Sequence, residues 1–201
     1  MHFFARSHYL WLSAILVLFA ICAFPQTQSA SARETYVQHA NRLVASPPDG
    51  AVFSPELEAA ILSAANAYRR SQGYLPLKPA PADVQMAARA QAMDLLLQGK
   101  VGHVSGDGYN FESRMRALRP GIMNLPSMGE NAARSTRRGL NDMETASYIM
   151  QQWIKSPPHR HALVSRDYLY VATGVARRGG STYAVQIFVG PVTHTNVNLP
   201  Q

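Results

Sequence analysis

Between Ser54 and Gly73, apolar residues recur at Leu57, Ala60, Ile61, Ala64, Ala65 and Tyr68, a spacing that lays one stripe along a helix. Ser54-Pro55-Glu56 gives that helix a capping residue, a proline at its first position and an acid in its first turn, and Gly73 ends it. The run Leu75-Pro76-Leu77-Lys78-Pro79-Ala80-Pro81 holds too many prolines for a helix and predicts an ordered crossing loop. A second helix starts near Asp83, carries Val84, Ala87, Ala88, Leu95 and Leu96 inward, and stops at Gly99. Its many alanines suit close approach to a neighbour. Asn110 caps a short third helix bearing Phe111, Met115 and Leu118, which Pro120-Gly121 terminates. A loop then leads to Gly129-Glu130-Asn131, just ahead of a predicted strand. Asn141 and Glu144 have the spacing of a capping box and introduce Ala146, Ile149, Met150 and Trp153 on one face, up to a stop at Ser156-Pro157-Pro158.

From Tyr168 the period changes. Val171 to Val175 and Tyr183 to Val189 are rich in β-branched and aromatic residues, and Gly179-Gly180 between them reads as a hairpin turn. Four helices followed by an antiparallel pair predict an α+β fold with helices covering a small sheet. The chain has no internal repeat and no low-complexity tract.

The N-terminus has a different character. Arg6 precedes a run without formal charge from Tyr9 to Phe24, and the small residues Ala30-Ser31-Ala32 lie just before Arg33-Glu34. This is the layout of a cleavable secretory signal over residues 1–32. An uncleaved membrane anchor would need roughly 20 apolar residues, and this run is shorter and is broken by Pro25. A lipid attached at Cys22 would want a small residue where Ile21 stands. Residues 33–52, with Ser46-Pro47-Pro48-Asp49-Gly50, read as a lead-in segment, 53–192 as the domain and 193–201 as a tail. The expected location is the cell exterior or the periplasm.

Composition narrows the chemistry. The 201 residues are 47% hydrophobic and 15% charged, a balance that suits one globular domain. Cys22 is the only cysteine, so a chain cleaved after Ala32 has no disulfide, zinc thiolate or cysteine nucleophile. An exported domain of that kind must rest on its core, which favours a bacterial envelope or medium. The formal charge of +7 becomes +6 once Arg6 is removed with the signal. Arginines cluster at Arg114, Arg116 and Arg119 and again at Arg134, Arg137 and Arg138. Such a surface could attract anionic lipids, wall polymers or nucleic acid, or be a solvated basic face, since no run of five like charges occurs.

Three features could carry chemistry. His103 lies in a glycine-bracketed loop, Gly102-His103-Val104-Ser105-Gly106-Asp107-Gly108, where a side chain is presented for use or simply sits at a helix C-terminus. Glu130 in Gly129-Glu130-Asn131 is functional or a structural hydrogen-bonding acid. His159 follows two prolines that fix the direction of the backbone, as part of a site or of a turn.

Taken together, the helix before His103, Gly129-Glu130-Asn131, Trp153, Ser156-Pro157-Pro158-His159-Arg160 and a closing hairpin through Gly174 resemble the bacterial branch of the CAP (SCP-like) superfamily of cysteine-rich secretory, antigen 5 and pathogenesis-related proteins. The likeness runs from about Leu57 to Val189 and includes Tyr68-Arg69 and Leu75-Pro76-Leu77. It implies a three-layer α-β-α sandwich with a small antiparallel sheet. It also implies a groove lined by His103, Glu130, Asn131 and His159, in which His103 and His159 face each other and hold a divalent cation such as zinc. Imidazole suits that ion, and so few protein ligands leave coordination positions open. The chain departs from the family pattern in three places. Ser156 stands where eukaryotic members carry a second glutamate, Pro158 replaces a glycine, and Ala162 replaces an asparagine, with His161 before it. His161 supplies a third ligand or faces solvent, and solvent is the expected side.

Two functions compete. One is a non-catalytic binding module for a lipid, a cell-wall polymer or an envelope protein. The other is a metal-assisted extracellular hydrolase, a peptidase, nuclease or wall hydrolase, with Glu130 as candidate catalytic base toward a cation-bound water. The sequence holds no nucleophile elbow, no His-Glu-x-x-His helix and no phosphate-binding glycine loop. A nucleic-acid partner is not expected, because no aromatic residues interleave the basic ones. A monomer is expected.

Overall fold

A computed structural model describes residues 34–119 and 127–191. In chain order the elements are α1 (Tyr36–Ala45), β1 (Val52–Phe53), α2 (Pro55–Ser71), β2 (Lys78–Pro79), α3 (Ala82–Gln98), α4 (Phe111–Leu118), β3 (Met128–Ser135), α5 (Asp142–Lys155), α6 (Pro157–Val164), β4 (Tyr170–Arg178) and β5 (Ser181–Val189). The expected signal peptide, the tail and the Pro120-Gly121 stop lie outside the described residues. No helix among those residues is long and apolar enough to cross a membrane.

The predicted hairpin is the centre of the sheet. β4 and β5 pair antiparallel from Tyr170↔Val189 to Arg178↔Ser181. They turn through Gly179 at φ 56° and Gly180 at φ 88°, the left-handed conformations that a tight two-residue turn needs. The sheet order is β1-β4-β5-β3, and β2 joins β4 in parallel. Side chains of β4 and β5 alternate between two cores, as strand geometry requires. Ala172, Ala176, Tyr183, Val185 and Ile187 pack with Val84, Met93 and Leu95 of α3. Val171, Val175, Ala184 and Phe188 pack with Leu57 and Ile61 of α2, Ile149 and Trp153 of α5 and Leu163 of α6. The result is the expected α-β-α sandwich, with α1, α3 and α4 on one face and α2, α5 and α6 on the other.

The alanines of α3 do bring it close to the sheet. A Cβ placed on Gly174 would lie 2.2 Å from the carbonyl carbon of Ala88, so the helix backbone rests directly on β4.

The outer edge of β4 is covered piecemeal. β1 pairs at Phe53↔Ala176 and β2 at Pro79↔Val171. Between them, Gln85 Nε2 donates to Thr173 O at 2.7 Å, the Val175 amide donates to Glu58 Oε1 at 3.2 Å, and Ser54 N donates to Val175 O at 3.2 Å. Arg89 in turn holds Glu58, with an N···O distance of 2.6 Å. Ser54 stands at the start of α2 as expected, but its side chain makes no capping bond.

Three readings of the sequence are corrected. Residues 33–52 are more than a lead-in: Thr35 and Gln38 form a capping box for α1, whose Tyr36, Ala40 and Leu43 are buried. The prolines after Ser156 end α5 but also occupy the first turn of α6, where a missing amide costs nothing. Gly129-Glu130-Asn131 lie inside β3, which pairs with β5 from Met128↔Val189 to Ser135↔Thr182. β3 has no β-branched residue, so pairing with β5 overrides its weak intrinsic preference.

Candidate functional site

Gly99 takes a left-handed conformation, φ 69°, and turns the chain out of α3 into the loop that carries His103. The loop is braced from within. Ser105 N donates to Tyr109 O at 2.9 Å, the Tyr109 amide donates to Ser105 Oγ at 3.0 Å, and the Ser105 hydroxyl also bonds the Asp107 carboxylate. Asn110 then caps α4 through the Ser113 amide at 2.9 Å.

α4 supplies the residue that organises the site. One terminal nitrogen of Arg114 reaches both carboxylate oxygens of Glu130, each at 2.9 Å, and lies 3.3 Å from His103 O. Both side chains of this ion pair are out of solvent, at 0% and 2% exposure. His103 Nδ1 meets Glu130 Oε1 at 2.9 Å. Glu130 thus faces the α4 layer with both oxygens engaged. The next residue in the strand, Asn131, faces the opposite layer and donates from Nδ2 to His159 O at 3.1 Å, which fixes the first turn of α6. β3 ends the sheet order, so His103 from one layer and His159 from the other approach around the same strand.

Electrostatics agree with that approach. The hydrogen bond that His103 donates to the Glu130 carboxylate raises the His103 pKa above its ordinary value, against the opposing effect of burial. Burial lowers the His159 pKa, and the nearby charge of His103 lowers it further. With Nδ1 of His103 tied to Glu130, its Nε2 is the nitrogen left for a ligand, the arrangement by which a carboxylate orients a histidine from behind.

Of the expected site residues, His103 meets Glu130 on one face of β3 and Asn131 meets the His159 backbone on the other, so the four do not share one role. Glu130 is buried against Arg114 and His103: Oε1 meets both and Oε2 meets Arg114. Asn131 acts through the α6 backbone. Among the described residues, no three histidine, cysteine, aspartate or glutamate side chains are placed to hold one metal ion. A three-ligand zinc centre does not fit, and the two imidazoles are the donors that remain. His161 is exposed on α6, as expected.

Two participants escaped the sequence reading. Arg114 was grouped with a basic surface, yet it is wholly buried, with its guanidinium 5.5 Å from the Phe111 ring centroid; its place beside Met115 on a short amphipathic helix was the available signal. Behind it stands a second buried group. His39 Nε2 lies 3.0 Å from both oxygens of Asp94, and burial raises the Asp94 pKa while His39 opposes the shift. Gly106, in the His103 loop, also hydrogen-bonds Asp94 through its backbone. Tyr36 is near Arg114, and burial pushes its phenol up to about 12. An acid inside the apolar run Met93-Asp94-Leu95-Leu96 was the signal for this cluster.

A profile of the cysteine-rich secretory protein family matches residues 62–190, most of the described domain. The chain belongs to this family, the CAP family. No curated protein matches the chain in sequence. Among solved structures, a CAP-type relative is an extracellular protein containing an SCP domain from Bacillus anthracis. It is 19% identical, has a TM-score of 0.54, and is matched over 68% of this chain and 41% of its own. The chain thus spans less than half of that relative's length. An outer surface protein of Borrelia burgdorferi is 16% identical with a TM-score of 0.56, over 70% of this chain and 96% of its own. At these identities the likeness is one of fold, and it agrees with the sandwich described above.

Proposed function

We propose that this CAP domain is a non-catalytic binding module that works outside the cytoplasm and recognises a lipid, wall polymer or envelope protein at the His103/His159 groove. The observation that carries the reading is the engagement of Glu130. A general base toward a cation-bound water needs a carboxylate oxygen within reach of it, and here the Glu130 side chain is only 2% exposed, with Arg114 on both oxygens and His103 on Oε1. Such a site would present two imidazoles whose pKa values are shifted in opposite directions, His103 upward and His159 downward. The extracellular and outer-surface descriptions of the structural relatives support an exported setting. A divalent cation such as zinc would be held by His103 and His159 alone, with Glu130 orienting His103, and it would serve as an open-sided point of attachment for an anionic or carbonyl group of the ligand.

Two titrations test this. Zinc is titrated calorimetrically into metal-free protein, and into His103→Ala and His159→Ala variants with native circular dichroism. One saturable site lost in both variants supports the cation; no binding by the unaltered protein removes it. Sedimentation with isolated cell walls and with lipid vesicles, again with both variants, tests the module. Retention that depends on either histidine supports the reading. Turnover of a peptide, phosphodiester or wall substrate that Glu130→Gln abolishes would overturn it.

A further inference from the structure

At the far end of the sheet, the β4–β5 turn, the loop after β3 and the turn before β1 border an open, shallow cleft of about 350 Å³. Arg137, Arg138, Arg177 and Arg178 all line it, together with the glycines Gly50, Gly179 and Gly180. Arg177 is paired with Asp142 at 2.7 Å. Arg137 lies over the Tyr148 ring, 4.3 Å from its centroid, a contact that fixes the guanidinium without neutralising it. Among the described residues, Arg137, Arg138 and Arg178 have no carboxylate partner. Glu144, the next acid along α5, accepts from the Asn141 amide at 2.9 Å instead.

From this geometry we infer a second binding site, specific for a phosphate-bearing group with more than one negative charge: a phosphomonoester or a diphosphate. Arg138 and Arg178, without acidic partners, line one concavity, and Arg137 borders it with its guanidinium over the Tyr148 ring. Guanidinium forks match the tetrahedral oxygens of phosphate and stay charged at every physiological pH. A single carboxylate would neutralise one of the three, whereas a phosphomonoester brings about two charges and a diphosphate more. The site is separate from the groove and does not rest on the function proposed for it. Glu130 lies five residues along β3 from Ser135, whose partner Thr182 lines the cleft, a separation of about 17 Å at strand spacing.

The test uses inorganic pyrophosphate, titrated calorimetrically into the purified protein at low and at physiological ionic strength. The comparison is between an Arg138→Gln/Arg178→Gln variant and a control, Arg70→Gln/Lys155→Gln, which loses the same charge from exposed positions elsewhere. The expected result is saturable one-to-one binding that weakens at least tenfold in the cleft variant and stays within twofold in the control. Equal weakening in both, or no saturation by the unaltered protein, overturns the site. A second arm measures sedimentation with phosphatidylcholine vesicles with and without phosphatidic acid. Phosphatidic acid-dependent binding that needs Arg138 and Arg178 assigns the phosphate to a lipid head group. Pyrophosphate binding without vesicle binding assigns it to a soluble or glycan-borne phosphate. Failure here leaves the zinc titration of the groove untouched, so the two readings fall separately.

Discussion

Removing Arg114 should be among the most destabilising single changes available in this domain, although the residue is one of many arginines on a basic chain. Its side chain is fully buried and that of Glu130 nearly so, which places the pair outside the regime of screened surface salt bridges. Arg114→Met leaves the Glu130 carboxylate in the interior with only half-exposed His103 as partner, and Glu130→Leu strands the guanidinium. Breaking one side of a buried pair costs about 3–5 kcal/mol. At about 2–4 °C per kcal/mol for a domain of this size, each single variant should melt roughly 6–20 °C lower. The double variant Arg114→Met/Glu130→Leu strands no charge, so it should be more stable than either single one. Urea denaturation of all four proteins closes the cycle. Single-variant losses below about 1 kcal/mol, or losses that simply add, would refute the claim that this buried pair organises the site.

Other outcomes follow from the same geometry. The pKa of His103 is raised by Glu130, so its contribution to stability is complete below the unfolded value and is lost as pH rises through the folded one. That of His159 is lowered, so its contribution is present above the unfolded value and is lost as pH falls toward the folded one. NMR titration of both imidazoles should show His103 above His159, and Glu130→Gln should lower His103; His159 titrating above His103 would contradict the arrangement. Gly174→Ala drives a methyl into the Ala88 carbonyl and should cost about 3 kcal/mol, while Gly102→Ala, with nothing within 4 Å of its added Cβ, should stay within about 0.5 kcal/mol; equal melting temperatures would show that α3 does not rest on β4. Arg69 donates to Leu75 O at 2.7 Å, Leu163 O at 2.7 Å and Ser165 O at 3.0 Å. Arg69→Met should therefore lose about 3 kcal/mol by stranding the buried carbonyls of Leu163 and Ser165, and a loss under about 1 kcal/mol would place those carbonyls in water.

The long elements were legible because their own residues carry the signal: the stripe from Leu57 to Tyr68, the capping box of Asn141 and Glu144, and the Gly179-Gly180 turn. β3 was not legible as far as Gly129, since Met128-Gly129-Glu130-Asn131 has no strand preference and becomes a strand by pairing with β5. α1 had a local signal in Thr35 and Gln38, but the prolines after it drew the reading toward a linker. Of the site, the family resemblance brought forward His103, Glu130, Asn131 and His159. What it could not convey was the division of labour, which depends on Arg114 reaching back from α4 and on the opposite facing of two adjacent strand residues. Charge patterning alone misread Arg114, because a buried and an exposed arginine look alike in a sequence.

The patched edge of β4 bears on how this molecule meets others. An open strand edge is a template on which foreign chains, or copies of the same chain, add themselves by main-chain hydrogen bonds. Here two short strands cover its ends, and Gln85 and Glu58 occupy the gap as side-chain substitutes for a peptide backbone. Recruitment of an extended peptide at this edge, and the edge-to-edge stacking that begins aggregation, are both blocked while α2 and α3 stay in place. Loss of Glu58 or Gln85 should therefore appear first as self-association on storage, before any fall in ligand affinity.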